Sequence, residues 1–243
     1  LTDATPTLEI HASGLIQLKH ESLCSYLLIC PDSREVVVID PVLPLASRIA
    51  NIIQGQGLTV NAILDTHLHR DHQSARQALM RLLGEPKLAA QCDVLGWPDQ
   101  VNQLHCGPFR LTKLATPGHT PEAVSILLQR DNTLKAVFCG DIILPGGVGR
   151  TDLPGGDIAA LARSIQLLVS KLSDSTLLLS SHDYAQRFFT TLPLAIKEQP
   201  LLQDLLNNSA NCDWAQQLQQ QAVLLQQQSQ HLCGLVEVSF SDA

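Results

Sequence analysis

The sequence lacks several features that would assign it to a familiar class. Its seven cysteines are an odd number, and none forms a C-x-x-C pair. This spacing argues against a disulfide framework and favours free, mostly buried thiols in a reducing compartment. No apolar run approaches the roughly 18 residues of a membrane span. The first residues show no basic region followed by an apolar stretch. We therefore predict a cytoplasmic protein without a membrane partner; the start at Leu1 rather than Met leaves open the removal of a targeting segment.

Positive charge is also scarce. Sixteen Lys and Arg face 23 Asp and Glu, and the formal net charge is −7. A negative field repels phosphate backbones, which argues against a nucleic-acid substrate. Hydrophobic residues make up 45% of the 243 positions, enough for a substantial core. No repeat or linker divides the sequence, so we predict one domain over residues 1–243.

Apolar, β-branched runs alternate with amphipathic segments, which predicts two sheets with helices outside them. The segments Tyr26–Cys30 and Val36–Ile39 are typical of a hairpin. The other predicted strands are Val60–Leu64, Lys87–Ala90, Arg110–Leu114, Val124–Leu128, Ala136–Phe138 and Thr176–Leu179. The predicted helices are Leu45–Ile53, Ser74–Leu83 with Ser74 as N-cap, and Ile158–Leu172 with Asp157 as N-cap.

Residues 190–243 differ in composition from the rest of the chain. They are rich in Leu and Gln, and Gln216–Gln230 is nearly a low-complexity tract. Apolar residues recur there at helical spacing, which predicts a helical appendage of the same domain that packs one face on the body. A helix that binds a partner is the alternative.

Histidines and carboxylates cluster at predicted strand ends. Directly after Val60–Leu64, three imidazoles and an Asp lie within six residues. Burying such a group without a ligand would leave polar atoms unsatisfied, and imidazole with carboxylate suits zinc, iron or manganese. Three later segments that follow strands add further residues of the same types. The candidate metal ligands are His67, His69, Asp71, His72, His119, Asp141 and His182.

The order of these motifs, H-x-H-x-D-H, T-P-G-H-T, G-D and a final His, resembles the metallo-β-lactamase superfamily over roughly residues 10–190. The resemblance implies an α+β fold, the αββα sandwich of two β-sheets flanked by helices, here with a helical C-terminal extension. It also implies a metal cleft at one edge between the sheets. Two metal subsites are implied: His67, His69 and His119 in one, Asp71, His72 and His182 in the other, with Asp141 able to bridge them.

Two further segments indicate which branch of this superfamily the sequence resembles. The Gly149–Asp152 loop is similar to the G-R-T-D loop of persulfide dioxygenases and some glyoxalase II-like proteins, and His182–Tyr184 has the persulfide dioxygenase form. That pattern implies one Fe(II) per chain, held by His67, His119 and Asp141. The implied reaction oxidises glutathione persulfide, a small thiol substrate, to sulfite and glutathione with O2. The resemblance is compatible with a homodimer.

The same resemblance implies roles for the residues around the metal. Asp71 and Tyr184 are assigned to catalysis. Arg150 would bind a glutathione carboxylate in a bidentate manner, and Thr120 and Tyr184 would hydrogen-bond the thiol substrate. The alternatives are that Arg150 ties down its own loop through Asp152 or Asp157, and that Tyr184 is a packing residue.

Some positions depart from the family pattern and leave the substrate open. Val148 replaces a usual Cys, Pro121–Ala123 replaces a usual Gly-Cys, and Gln73–Ala75 replaces Ile-Thr-Gly. The alternative function is a glyoxalase II-like thioester hydrolase (hydroxyacylglutathione hydrolase), which would use the same ligands for two zinc ions or mixed metals. A third alternative is a non-catalytic binding protein that kept the fold.

Overall fold

Two five-stranded β-sheets dominate the computed structural model, which describes residues 14–30, 32–69, 73–88, 92–185, 187, 189–207 and 233–238. In chain order the strands are β1 (Leu15–His20), β2 (Leu23–Cys30), β3 (Glu35–Ile39), β4 (Thr59–Leu64), β5 (Gln103–Cys106), β6 (Phe109–Ala115), β7 (Val124–Arg130), β8 (Thr133–Gly140), β9 (Ile143–Leu144), β10 (Gly147–Val148), β11 (Leu177–Ser180) and β12 (Cys233–Val238). The helices are α1 (Ala46–Gly55), α2 (Arg76–Leu83), α3 (Ile158–Val169), α4 (Leu192–Glu198) and α5 (Pro200–Asn207), and Leu43–Leu45 is a 3-10 turn.

The first sheet has the order β12-β1-β2-β3-β4 and the second β11-β8-β7-β6-β5. Pairing is antiparallel except between β3 and β4 and between β11 and β8. Since β6 and β8 both run antiparallel to β7, the strands β6, β8 and β11 point the same way. Their carboxyl ends therefore meet at one edge of the second sheet.

Burial explains why the central strands are apolar on both faces. On β2, Tyr26 and Leu28 pack between the sheets, whereas Leu27 and Ile29 pack against α1 and α2 on the outside. On β8, Phe138 likewise faces the first sheet, and its neighbours face α3 and the later helices. Successive side chains of a strand point to opposite faces. The layers are helix, sheet, sheet, helix, which confirms the predicted α+β sandwich.

The structure confirms most of the predicted elements within a few residues at their ends. They are the hairpin, the strands Val60–Leu64, Arg110–Leu114, Val124–Leu128, Ala136–Phe138 and Thr176–Leu179, and the helices at Leu45–Ile53 and Ile158–Leu172. Asp157 caps α3 by accepting hydrogen bonds from the backbone N–H groups of Ala159 and Ala160. The described cysteines Cys24, Cys30, Cys92, Cys106 and Cys139 are free, as predicted. None of the described helices has the length and apolarity needed to cross a bilayer.

Two local predictions were wrong. The N-cap of α2 is Ala75, because its carbonyl accepts the first helical hydrogen bond, from the N–H of Leu79. Ser74 lies one residue earlier, where its hydroxyl donates to the Asp65 carboxylate and accepts from the Arg76 N–H. Lys87 and Leu88 lie in a turn rather than a strand; their N–H groups bond the carbonyls of Val60 and Asn61. The rest of the predicted strand Lys87–Ala90 lies outside the described residues.

The C-terminal stretch 190–243 is helical only in part. The helices α4 and α5 agree with the prediction, but β12 is a strand that pairs antiparallel with β1. Pairing there satisfies the hydrogen-bonding groups along the outer side of β1, which would otherwise form a sheet edge. The tract Gln216–Gln230 lies outside the described residues, and the single-domain organisation stays a prediction.

Candidate metal centre

Three of the predicted ligands converge where strands of the two sheets end. His67 and His69 follow β4, and His119 lies in the turn after β6. One ring nitrogen from each of the three lies within 4.8 Å of the others. His67 and His119 are 1% and 4% exposed. The cluster can therefore present three imidazole nitrogens to one ion.

Asp141 supplies a carboxylate to the same cluster. It follows β8 and is buried, with its Oδ2 at 3.4 Å from Nε2 of His119 and 3.8 Å from Nε2 of His67. His182, which follows β11, donates from Nδ1 to the carboxylate at 2.9 Å. Five of the seven predicted ligands are thus brought together. Asp71 and His72 lie outside the described residues, and their role as ligands stays a prediction.

Charge at this cluster favours an ionised carboxylate. Burial by itself raises the pKa of Asp141, but the charge and hydrogen bond of His182, followed by the charges of His67 and His119, outweigh it and hold the pKa well below its usual range. The deprotonated form is the one that binds a metal.

Hydrogen bonds fix which ring nitrogen of His119 and of His67 carries the proton. Nδ1 of His119 lies 2.7 Å from the carbonyl oxygen of Arg150, which can only accept. Nδ1 of His67 lies 3.1 Å from the hydroxyl of Thr66, which already donates to Asp40 and therefore accepts from the ring. Both Nδ1 atoms are donors, so the Nε2 atom of each ring is the one available to a metal ion when the ring is neutral.

Asp40 supports this arrangement and was not singled out as a site residue from the sequence. It is fully buried, and its carboxylate accepts hydrogen bonds from the Thr66 N–H at 2.6 Å, the Thr66 hydroxyl at 2.9 Å and the Ser181 hydroxyl at 2.7 Å. It therefore links the loop that follows β4 to the loop that follows β11. An Asp directly after an apolar strand was the available signal, but it cannot be told from a turn former in sequence.

Glycines allow close approaches around the ligands. A Cβ atom at Gly118 would lie 2.2 Å from the backbone nitrogen of Leu161, and φ is +139° there. A Cβ at Gly140 would lie 2.7 Å from the Thr66 hydroxyl oxygen. The lack of a side chain at Gly118 allows the turn that carries His119 to pack against the start of α3.

A buried ion pair holds the segment around His182. Nζ of Lys19 on β1 lies 2.5 Å from Oδ2 of Asp183, and the two side chains are 3% and 1% exposed. The backbone N–H of Asp183 donates to the carbonyl of Ser22 at 2.8 Å. The Tyr184 ring is stacked on the His182 ring, with centroids 5.4 Å apart. The first sheet therefore anchors the residues on both sides of His182.

The predicted substrate residues have distinct surroundings. Arg150 makes a bidentate contact with Asp152, Nε to Oδ1 at 2.7 Å and Nη2 to Oδ2 at 2.5 Å, which is one of the two loop contacts considered from the sequence. Thr120 is 6% exposed, and its hydroxyl oxygen has no hydrogen-bond partner within the described part of the chain. Substrate binding by Arg150, Thr120 and Tyr184 stays a prediction.

The residues present fit a transition-metal ion. Imidazole nitrogens with a buried, ionised carboxylate are the donor set of zinc and of non-haem iron sites. Nδ1 of His69 and Nε2 of His119 lie 2.9 Å apart in a hydrogen bond, so both nitrogens are close enough to serve one ion. Burying so many polar groups together is costly unless an ion or hydrogen bonds satisfy them.

Comparison with known proteins agrees with this site. The chain is 35% identical over 179 residues to the mitochondrial persulfide dioxygenase ETHE1 of Mus musculus, covering 70% of this chain and 68% of that protein. It is 34% identical over 170 residues to a hydroxyacylglutathione hydrolase of Synechococcus, covering 65% and 64%. No family model matches the chain.

Solved structures show the same architecture. The crystal structure of ETHE1 from Myxococcus xanthus aligns with a TM-score of 0.65 at 27% identity, over 87% of this chain and 98% of that one. A metallo-β-lactamase of Staphylococcus aureus aligns with a TM-score of 0.68 at 23% identity, over 84% and 66%, and supports the fold alone. The chain therefore belongs to the metallo-β-lactamase superfamily, among the persulfide dioxygenases and glyoxalase II-like hydrolases.

Proposed function

We propose that the chain is an iron-dependent persulfide dioxygenase. It would oxidise the outer sulfur of glutathione persulfide with one O2 and one water, releasing glutathione and sulfite. The observation that carries the proposal is the convergence of His67, His119 and Asp141, a two-histidine, one-carboxylate set of the kind that non-haem Fe(II) oxygenases use. The likeness to the mouse and Myxococcus persulfide dioxygenases supports it.

His67, His119 and Asp141 would hold one Fe(II) ion. The bound ion would supply the redox chemistry with O2 that side chains alone lack. The hydrogen bonds from Nδ1 of His67 to Thr66 and from Nδ1 of His119 to Arg150 would keep both rings oriented. His182 would support Asp141 through its own Nδ1 rather than bind the ion.

The remaining predicted residues would serve the substrate. The Arg150 guanidinium would bind a carboxylate of the glutathione moiety. In the structure, the same guanidinium nitrogens contact the carboxylate of Asp152. The buried hydroxyl of Thr120 and the Tyr184 side chain beside His182 would contact the thiol portion. The catalytic role of Asp71, a homodimeric state and a cytoplasmic location remain predictions.

Thioester hydrolysis is the second candidate function. The 34% identity to a hydroxyacylglutathione hydrolase favours it, since that chemistry would use the same residue types to hold two metal ions. The Nδ1 donor bond from His182 to Asp141 speaks for the one-metal arrangement, since a carboxylate held in this way resembles a supported ligand.

Metal identity and stoichiometry distinguish the two candidates. We would measure both by elemental analysis of protein purified without added metal. About one iron per chain is the expected result. About two zinc or mixed metals per chain would favour the hydrolase, and lactoylglutathione would then be the first substrate to test.

A further inference from the structure

A side-chain hydrogen bond joins the two loops that carry candidate ligands. The N–H of Val124 donates to the carbonyl of Thr66 at 2.8 Å, so the loop after β4 contacts the start of β7. Two residues further along that loop, the N–H of Leu68 donates to Oε1 of the Glu122 side chain at 2.9 Å.

This bond joins two segments that carry candidate ligands. Leu68 lies between His67 and His69, so its N–H belongs to the peptide that links the two. Glu122 lies three residues after His119 in a turn closed by backbone bonds, among them Gly118 N–H to the Thr120 carbonyl at 3.1 Å. The Glu122 carboxylate therefore ties the loop of His67 and His69 directly to the turn of His119.

The peptide of Leu68 lies outside regular secondary structure, and its bond to Glu122 fixes its position. The segment 65–69 is neither helix nor strand, and Leu68 is 39% exposed. Without the Glu122 bond, the loop backbone would be held at Asp65 and Thr66, before the first ligand, and the ligands by ring contacts such as that of His69 with His119. A ligand loop that is free at its centre samples more positions, and metal binding must then order it at an entropic cost.

We infer that Glu122 is a positioning residue that holds His67, His69 and His119 in a preformed arrangement for the metal ion. It acts through its hydrogen bond to Leu68 and does not bind the ion or the substrate. This inference rests on the proposed metal site but not on the reaction catalysed there, because it concerns the retention of metal.

The test is the rate of metal release to an excess of chelator from the metal-loaded full chain, in Glu122→Ala and Glu122→Gln. Gln keeps an oxygen acceptor at Oε1, whereas Ala removes it. Residues that orient ligands typically contribute about 10- to 100-fold in metal affinity. We expect Glu122→Ala to release metal about 10-fold faster or more, Glu122→Gln to remain within about threefold of the native rate, and the thermal midpoint of the metal-free protein to be nearly the same in all three.

Glu85→Ala, which removes an exposed carboxylate, is the matched control for charge. His119→Ala separates the inference from the site on which it rests. If His119→Ala loses metal but Glu122→Ala retains it at the native rate, the positioning role is wrong and the site stands. Equal, fast release in Glu122→Ala and Glu122→Gln would also overturn the inference, because charge rather than the hydrogen bond would then matter. Full metal retention in His119→Ala would overturn both.

Discussion

The proposed metal ligands and the proposed substrate-binding residue Arg150 differ in how their side chains are held. His67, His119 and Asp141 are at most 6% exposed, and each is fixed by a hydrogen bond to the fold. The Arg150 side chain is about one-quarter exposed, and its guanidinium group contacts the carboxylate of Asp152. Under the proposed assignment, the fold itself positions the metal ligands, whereas Arg150 is held by a local contact that a substrate carboxylate would replace.

The largest effect is expected on the metal-holding side. Asp141→Ala removes the only anion among the described residues at the ion's proposed position, and we expect metal binding and persulfide oxidation to fall below detection. Elemental analysis and an activity assay on the same preparation check this. Asp174→Ala, at an exposed position, should retain both. Retained metal with full activity in Asp141→Ala would contradict the assignment.

The second-largest effect is expected at the buried ion pair between Lys19 and Asp183, the residue after His182. Lys19→Met leaves the buried Asp183 carboxylate without its ammonium partner, so we expect the free energy of unfolding to fall by about 3–5 kcal/mol. Urea denaturation at neutral pH measures it. The double variant Lys19→Met/Asp183→Leu should recover much of the loss, since a matched apolar pair leaves no charge buried. A loss below about 1 kcal/mol in the single variant would place the pair among weak surface contacts.

A smaller effect is expected from the residue that orients His67. Thr66→Val removes the hydroxyl that accepts from Nδ1 of His67 and donates to Asp40, at nearly constant shape. We expect metal affinity to fall by about 10- to 100-fold, as measured by competition with a chelator. Thr112→Val is the control, because that buried hydroxyl has no hydrogen-bond partner among the residues described. Equal affinities in the two variants would refute the orienting role.

The smallest effects are expected from changes at Arg150 and its partner Asp152. Arg150→Ala should raise KM for glutathione persulfide by about 10-fold, the loss of a charge-assisted hydrogen bond, with kcat and metal content nearly unchanged. Steady-state kinetics measures both constants. Asp152→Asn tests the same role in the opposite direction. It weakens the contact between Asp152 and the Arg150 guanidinium, so that Arg150 is more available to the substrate and KM should fall by up to about fivefold. A large drop in kcat with constant KM in Arg150→Ala would move this residue into the metal-holding group.

The sequence predicted most of what lies at strand ends. The ligand motifs follow apolar strands, and strands of a sandwich deliver their ends to a common edge, so His67, His69, His119, Asp141 and His182 could be assigned from order and spacing. Residues that act through one hydrogen bond to a backbone or hydroxyl group were not recognisable. Asp40 and Glu122 belong to no spacing pattern, and their partners lie 26 and 54 positions away in the chain.

The fold was predictable where local pattern and tertiary packing agree. The strand β12 illustrates the limit, because it pairs with β1 across more than two hundred residues and follows a Gln-rich stretch that favours a helix on composition. The segment Lys87–Ala90 illustrates a second limit of prediction from the sequence. It contains no β-branched residue, and Lys87 and Leu88 bond the edge of β4 from within a turn.

Oxygen consumption tests the central proposal most directly. The iron-loaded protein would be mixed with glutathione persulfide in an oxygen electrode cell, and sulfite would be quantified in the same sample. The account predicts O2 uptake that matches sulfite formation one to one and is absent in Asp141→Ala. No O2 uptake with the iron-loaded protein, together with rapid hydrolysis of lactoylglutathione, would contradict it and assign the chain to the thioester hydrolases.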